Sequence, residues 1–140
     1  MKRMIPDAEV ELEVPFHDVD MLRLVWHGHY FKYFEIARTQ LLRQKNLSAD
    51  QIVQTGFMFV VIESKCRYPA PLRFGQKFIV GAKLADIDYR VKIDYEIWNA
   101  AENRRAAYGH TVLATLSPAS ELLLRTPDVL LERLRGQSNA

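Results

Sequence analysis

The chain has 140 residues, 49% hydrophobic and 26% charged, with a formal net charge of +2 at pH 7. These values fit one compact domain over residues 1–140 with a packed core. The slight positive charge and the lack of any Lys/Arg run argue against nucleic acid as a partner.

The cysteine content and the apolar runs bound the compartment. The single cysteine, Cys66, cannot form an internal disulfide and suits a reducing compartment. The N-terminus lacks an apolar run of signal-peptide length, and the longest run, residues 57–62, is too short to cross a bilayer. We therefore expect a cytoplasmic protein with no membrane partner.

The N-terminal half predicts one strand and two helices. Residues 9–16 alternate apolar residues with glutamates, which is typical of a half-buried strand, and residues 17–29 form a loop. A helical period then starts, with a left-handed stop at Asn46. Ser48 opens a capping box for a short second helix that ends at Gly56. The apolar face of the long helix carries Tyr30, Tyr33, Phe34, Ala37, Leu41 and Leu42.

Four strands and a small helix follow. The strands are predicted over residues 57–68, 78–84, 89–97 and 105–116. The last helix is predicted after Thr126 as N-cap and Pro127 as first helical residue. Two predicted strand faces are Val60, Ile62, Ser64 and Cys66, and Tyr108, His110, Val112, Ala114 and Leu116.

This order of elements favours an α+β fold with a mostly antiparallel sheet. About five strands must cover one long helix, so we expect a curved sheet wrapped around it. The opposite face of the sheet is expected to stay partly apolar, which invites dimerisation.

Reactive groups are concentrated in residues 16–38. Asp20 precedes His27 by seven residues, and Gly28 gives the backbone freedom to turn before the helix. A helix start carries unpaired N–H groups and partial positive charge, which can polarise a carbonyl. A carboxylate beside it can act as base or nucleophile.

Plainer roles exist for the same side chains. Asp20 could cap a turn, and we expect Asp18 to hold the loop through hydrogen bonds to the backbone. His27 could act through its ring or only through its backbone N–H, whereas His17 and His29 fit ordinary loop histidines. The spacing matches no usual zinc pattern, so no metal is predicted.

The motif resembles the hotdog-fold acyl-CoA thioesterases of the 4-hydroxybenzoyl-CoA thioesterase family. The likeness covers nearly the whole chain. It runs through Asp18-Val19-Asp20, Leu24-Val25-Trp26-His27, Tyr30, Tyr33-Phe34-Glu35 and Ala37-Arg38, with weaker echoes at Arg67-Tyr68-Pro69-Ala70, Gly75 and Thr126-Pro127.

The resemblance implies that Asp20 is the catalytic carboxylate and that the backbone N–H at His27 polarises the thioester carbonyl. Gly28, Tyr30 and Glu35 are expected to bind substrate. One departure is Arg23, where the family usually has glycine, and it predicts a reshaped loop. Coenzyme A belongs to the substrate, so no separate cofactor is predicted. Arginines that could meet its phosphates are Arg67, Arg73, Arg90, Arg104 and Arg105, and none of them is singled out.

The predicted function is hydrolysis of an acyl thioester of coenzyme A or acyl carrier protein to a free acid and a thiol. The resemblance implies active sites at the interface of a homodimer or homotetramer. One alternative is a hotdog dehydratase or hydratase that pairs His27 with Asp20. Another is a non-catalytic module that binds the acyl group or its carrier.

Overall fold

Five strands form one antiparallel sheet that packs against a 15-residue helix, in a computed structural model that describes residues 3–136. The predicted α+β hotdog fold is confirmed. The strands lie in the order β1-β3-β4-β5-β2. They are β1 (Ala8–Glu13), β2 (Met58–Arg67), β3 (Lys77–Asp86), β4 (Val91–Asn99) and β5 (Arg104–Leu116). The helices are α1 (Tyr30–Gln44), α2 (Ala49–Thr55) and α3 (Asp128–Leu134), with 3-10 turns at Phe16–Asp18 and His27–His29.

The apolar face of α1 forms the centre of the core. All six residues predicted for that face are buried. Phe34 stacks on Tyr95 of β4, with ring centroids 4.5 Å apart and planes 6° from parallel. Burying one such large side chain stabilises the fold by about 2 kcal/mol, so α1 is fixed to the sheet along its length.

The predicted signals between the helices are confirmed. Asn46 has φ 58°, and the Leu47 N–H reaches back to the Leu42 carbonyl at 2.8 Å. The Ser48 hydroxyl accepts from the Gln51 N–H, while the Gln51 side chain accepts from the Ser48 N–H. Gly56 ends α2 with φ 81°.

A bulge in β2 corrects the predicted alternation. The pairing to β5 runs Val61↔Leu113 and then Glu63↔Val112, so Ile62 is the extra residue. A bulge of this kind moves the residues beyond it to the opposite face. The side towards α1 therefore carries Phe59 and Val61 before the bulge and Ser64 and Cys66 after it, because their partners on β5 face α1.

Two other boundaries differ from the prediction. Tyr89 precedes β4 and is 67% exposed. Pro127, and not Thr126, is the N-cap of α3, and no side-chain cap bond forms there. The residues predicted to share one face of β5 do so, and Tyr108, His110 and Val112 show that this is the side away from α1. The β5 residues on the side towards α1 are Ala107, Gly109, Thr111 and Leu113, and all of them except Gly109 are buried.

The outward face of the sheet and its β2 edge differ in character. Charged side chains occupy the middle of the outward face, among them Lys65, Arg67 and Asp94. Exposed apolar side chains instead lie on the open edge strand β2, where Val61 and Ile62 are each 48% exposed. Among residues 3–136, no helix is both long and apolar enough to span a membrane.

Candidate active site

A short hairpin carries Asp20. Val19 and Val25 form an antiparallel bridge, and the Asp20 N–H donates to the Leu24 carbonyl at 2.9 Å. The returning arm is fixed to the segment before β3, because the Val25 N–H donates to the Leu72 carbonyl at 2.9 Å. This pairing places the Asp20 turn at a defined position just before α1.

The carboxylate of Asp20 is accessible and only partly engaged. Its Oδ1 accepts one hydrogen bond from the Leu22 N–H at 2.9 Å, which is the predicted turn-capping role. The residue is exposed, and Met21 and Leu22 beside it are 99% and 74% exposed. Capping the turn therefore leaves the carboxylate reachable from solvent.

Arg23 adopts the backbone conformation that glycine would adopt most readily. Its φ is 63°, and its N–H donates to the Asp20 carbonyl at 2.9 Å to close the turn. A left-handed backbone costs a residue with a Cβ about 1–2 kcal/mol. The loop thus reaches a glycine-like φ with an arginine in place.

Asp18 is buried and fully engaged. It is 1% exposed. Its carboxylate accepts from Lys32 Nζ at 2.5 Å and from the Tyr33 hydroxyl at 2.6 Å. Burial alone would raise the pKa of Asp18, but these two hydrogen bonds hold the pKa below its ordinary value. Asp18 therefore has the predicted structural role, but its hydrogen-bond partners are side chains of α1 and not the backbone of the loop.

The histidines beside Asp18 lie near its charge. His17 Nε2 and His29 Nε2 are 3.6 Å and 3.9 Å from Asp18 Oδ1. His17 is highly exposed, as expected for a loop histidine, whereas His29 is mostly covered. No group of three or more His, Cys, Asp or Glu residues within 3–136 is arranged to hold a metal ion.

Winding towards α1 begins at His27. The Trp26 N–H donates to the Asp18 carbonyl at 3.0 Å, and the His29 N–H donates to the Trp26 carbonyl at 2.9 Å. In the first turn of a helix, the leading N–H groups have no partner within the helix. Here those donors are the N–H groups of His27 and Gly28. The Trp26 ring covers Gly28 so closely that a Cβ there would displace it.

The other predicted site residues are distributed unevenly. His27 is exposed beside the hairpin, whereas Tyr30 is only 3% exposed and belongs to the core under Tyr68. Glu35 is on the exposed side of α1. The structure brings His27 and Gly28 to the helix start next to the hairpin, and it shows no contact of Tyr30 or Glu35 with Asp20.

Tyr68 and Cys66 were not predicted as site residues. The Tyr68 ring meets the rings of Tyr30 and His27 edge-on, at centroid distances of 5.0 Å and 6.3 Å. Burial raises the pKa of the Cys66 thiol to about 11, and burial and the Cys66 contact raise the pKa of Tyr68 to about 12. Both groups therefore stay protonated at neutral pH and form a wall beside the helix start.

Exposed apolar side chains surround the Asp20 hairpin. Phe16 and Phe74 are 77% and 55% exposed and meet edge-on at 5.8 Å. Trp26, at the end of the hairpin, is 50% exposed and contacts the rings of His27 and His29. Exposed apolar surface of this kind next to polar groups is typical of a binding or association site.

Comparison with known proteins identifies the family. The model of the Thioesterase-like superfamily matches residues 14–134, which include the hairpin, all of α1 and four of the five strands. The chain belongs to this superfamily. The resemblance given by the Asp18–Arg38 motif is thereby confirmed, and so is the prediction of a thioester hydrolase at the level of the superfamily.

Individual members agree with this assignment. The acyl-CoA thioester hydrolase YbgC of Escherichia coli O6:H1 is 32% identical over 62 residues, covering 44% of this chain and 46% of YbgC. The acyl-acyl carrier protein thioesterase ATL3 of Arabidopsis thaliana is 29% identical over 84 residues, covering 60% of this chain and 44% of ATL3. The matched segment therefore covers less than half of either relative.

A solved structure shows the same fold. Slr0204 of Synechocystis, a 1,4-dihydroxy-2-naphthoyl-CoA thioesterase, superposes with a TM-score of 0.77 at 20% identity. The match covers 91% of this chain and 95% of Slr0204.

Proposed function

We propose that this chain hydrolyses acyl thioesters of coenzyme A, with Asp20 supplying the carboxylate and the helix start at His27 and Gly28 binding the carbonyl oxygen. The observation that carries the proposal is the hairpin register. The hairpin leaves the Asp20 carboxylate accessible, with a single hydrogen bond from the backbone. The unpaired N–H groups of the first helical turn follow seven residues later in the chain.

The spacing leaves room for a thioester between the two groups. Asp20 is paired with Leu24, and His27 follows three residues later along an extended chain, or about 10 Å further on. A carboxylate, a reacting carbon and a carbonyl oxygen accepting an N–H bond can occupy this span. The N–H donors then stabilise negative charge that develops on the oxygen as the carbon is attacked.

Two chemical routes fit this arrangement. Asp20 can attack the carbonyl carbon, expel the thiolate and form an acyl anhydride that water hydrolyses. It can instead remove a proton from water, which then attacks the carbon and releases the thiolate. Both routes end in a free acid and a thiol, and both require the Asp20 carboxylate to be ionised.

We further propose that the active unit is a homodimer or homotetramer, with acyl carrier protein as the alternative carrier and the cytoplasm as the site of action. Exposed apolar residues at the hairpin and on the β2 edge support association with a second copy. The single cysteine supports a reducing compartment. Tyr30 and Glu35 remain predicted substrate contacts.

The deciding experiment measures thiol release from short, long and aromatic acyl thioesters, each carried on coenzyme A and on acyl carrier protein. The wild type is compared with Asp20→Asn and with Asp50→Asn, an exposed carboxylate at the start of α2. We expect Asp20→Asn to lose kcat by orders of magnitude with KM little changed, and Asp50→Asn to match the wild type.

The alternatives give different results in the same experiment. A hydratase would add water to an enoyl thioester without releasing thiol, and a binding module would bind thioesters with thiol release at background. Equal rates for the wild type and Asp20→Asn would remove Asp20 from the mechanism.

A further inference from the structure

A cleft on the outward face of the sheet has the chemistry of a nucleotide site. It has a volume of about 390 Å³ and lies over β2, β5 and β4, on the side away from α1. Lys65 and Arg67 of β2 form one wall, Tyr108 of β5 lies in the middle, and Asp94 and Glu96 of β4 form the other wall. The volume falls within the usual range for small-molecule sites.

The cations of the β2 wall differ from the other charges around them. Lys65 and Arg67 are exposed, and neither side chain has an ion-pair partner within residues 3–136. By contrast, Arg105 is paired with Glu96 at 2.8 Å and His110 with Glu63 at 2.7 Å. The two available cations lie two residues apart on one strand, so both point into the cleft and can bind one anionic group.

The opposite wall offers an acceptor. Glu96 is buried and already engaged by Arg105 and by the Met4 N–H. The Asp94 carboxylate is half-exposed, and its nearest cation, Lys92 Nζ, is 3.9 Å away. A ligand that fills this cleft therefore needs anionic groups at one end and hydroxyl or amino donors at the other. A nucleotide has both, whereas the acidic surface of a protein partner would meet Asp94 unfavourably.

The cleft is also next to the proposed active site. Arg67 is followed directly by Tyr68, whose ring forms the wall beside Tyr30 and His27 on the α1 side. Successive residues of an extended chain point to opposite faces of the sheet. A carrier held at Lys65 and Arg67 can therefore pass over the end of β2 to the helix start.

We propose that this cleft binds the phosphate-bearing nucleotide end of coenzyme A, with Lys65 and Arg67 on the phosphates and Asp94 on a ribose hydroxyl or the adenine amino group. The inference rests on the proposed thioesterase function for the identity of the carrier. It makes coenzyme A, and not acyl carrier protein, the carrier that this chain recognises.

The test compares two double variants that each remove one lysine and one arginine charge from the protein surface. Lys65→Gln with Arg67→Gln alters the cleft wall, and Arg43→Gln with Lys45→Gln, at the end of α1 and away from the cleft, is the matched control. Substrates are one acyl group carried on coenzyme A, on acyl carrier protein and on N-acetylcysteamine, which lacks the nucleotide. Calorimetry with coenzyme A and with pantetheine measures binding without turnover.

We expect the cleft variant to raise the Kd for coenzyme A and the KM for acyl-CoA by about tenfold or more. Its kcat, its pantetheine binding and its rate with the N-acetylcysteamine thioester should stay at wild-type values. The control should change each quantity less than threefold. If the wild type released no thiol but coenzyme A binding still depended on Lys65 and Arg67, the cleft assignment would stand and the proposed function would fall.

Three results would overturn the cleft assignment. One is unchanged coenzyme A binding in the cleft variant. Another is an equal loss with N-acetylcysteamine thioester, which would mean damage to the reacting site. The third is a loss confined to acyl carrier protein substrates, which would make the wall a docking surface for that protein.

Discussion

Asp18 and Asp20 are two residues apart in one loop, but the fold treats their carboxylates in opposite ways. Asp18 is 1% exposed and receives hydrogen bonds from Lys32 and Tyr33 of α1. Asp20 is exposed and receives one hydrogen bond, from the Leu22 N–H. The first carboxylate holds the loop to the helix, and the second is left free to act at the position so defined.

The comparison shows how a short acidic motif can divide its work. A carboxylate with two strong donors is stabilised as an anion and is a poor base. A carboxylate on a turn keeps its reactivity, but its position depends on what holds the turn. Here the turn is held by backbone pairing and by its buried neighbour Asp18.

The largest expected effect is on catalysis, in Asp20→Asn. Loss of the carboxylate should lower kcat by about 10³-fold. The asparagine oxygen can still accept the Leu22 N–H, so the free energy of unfolding should change by less than about 0.5 kcal/mol. Steady-state kinetics and urea unfolding on the same preparation check both numbers. A loss of stability as large as that of an Asp18 variant would break the comparison.

The next effect is on stability, in Asp18→Asn. An amide cannot compensate the charge of Lys32, so we expect a loss of about 2 kcal/mol in the free energy of unfolding at pH 7. Glu102→Gln is a matched control, because Glu102 is an acidic residue in the exposed 100–103 turn with an Arg104 partner, and exposed pairs contribute little. Equal urea midpoints for the two variants would contradict the proposed role of Asp18.

The pH dependence of stability should separate the same two carboxylates. The pKa of Asp18 is lowered in the folded chain, so its contribution is present above the unfolded pKa of about 3.9. That contribution is lost as the pH falls through the lower folded pKa. The difference in unfolding free energy between the wild type and Asp18→Asn should therefore shrink below about pH 4. Urea titrations from pH 7 to pH 2.5 test this, and a constant difference would exclude ionisation of Asp18 as its cause.

The smallest expected effect is at Arg23, in the turn that positions Asp20. Glycine at φ 63° relieves backbone strain, so Arg23→Gly should raise the free energy of unfolding by about 0.5–1 kcal/mol. The control Arg43→Gly, in α1, should lower it by about 1 kcal/mol. Thermal unfolding of both variants gives the signs. If kcat for Arg23→Gly stays at the wild-type value, the arginine side chain has no part in the reaction.

The fold could be predicted from the sequence wherever the apolar residues fitted only one periodicity. The apolar face of α1, Asn46 and the capping box at Ser48 needed only helical spacing and local hydrogen bonding. On β5, both alternating sets contain apolar residues, and alternation alone does not say which set faces the helix. The bulge at Ile62 has no sequence signal of its own, and it reversed the second half of the β2 assignment.

The site could be predicted only in its local part. The Asp20 turn and the helix start at His27 lie within eight residues, so the motif holds them together. Asp18 meets Lys32 and Tyr33 only after α1 has formed, and Tyr68, which directly follows β2, comes about forty residues after the helix start at His27. Contacts of this range depend on the packed sheet, which no spacing rule describes.

The bulge at Ile62 reverses the alternation of β2. Odd-numbered residues face α1 before the bulge, and even-numbered residues face α1 after it. If Ile62 took a paired place in a straight strand, without the bulge, one half of β2 would have to turn over. If the pairing of the first half persisted, Tyr68 would leave the wall of the helix start, and Lys65 and Arg67 would point into the core. One unpaired residue on an edge strand therefore decides which side chains in the second half of β2 face α1 and which face outward.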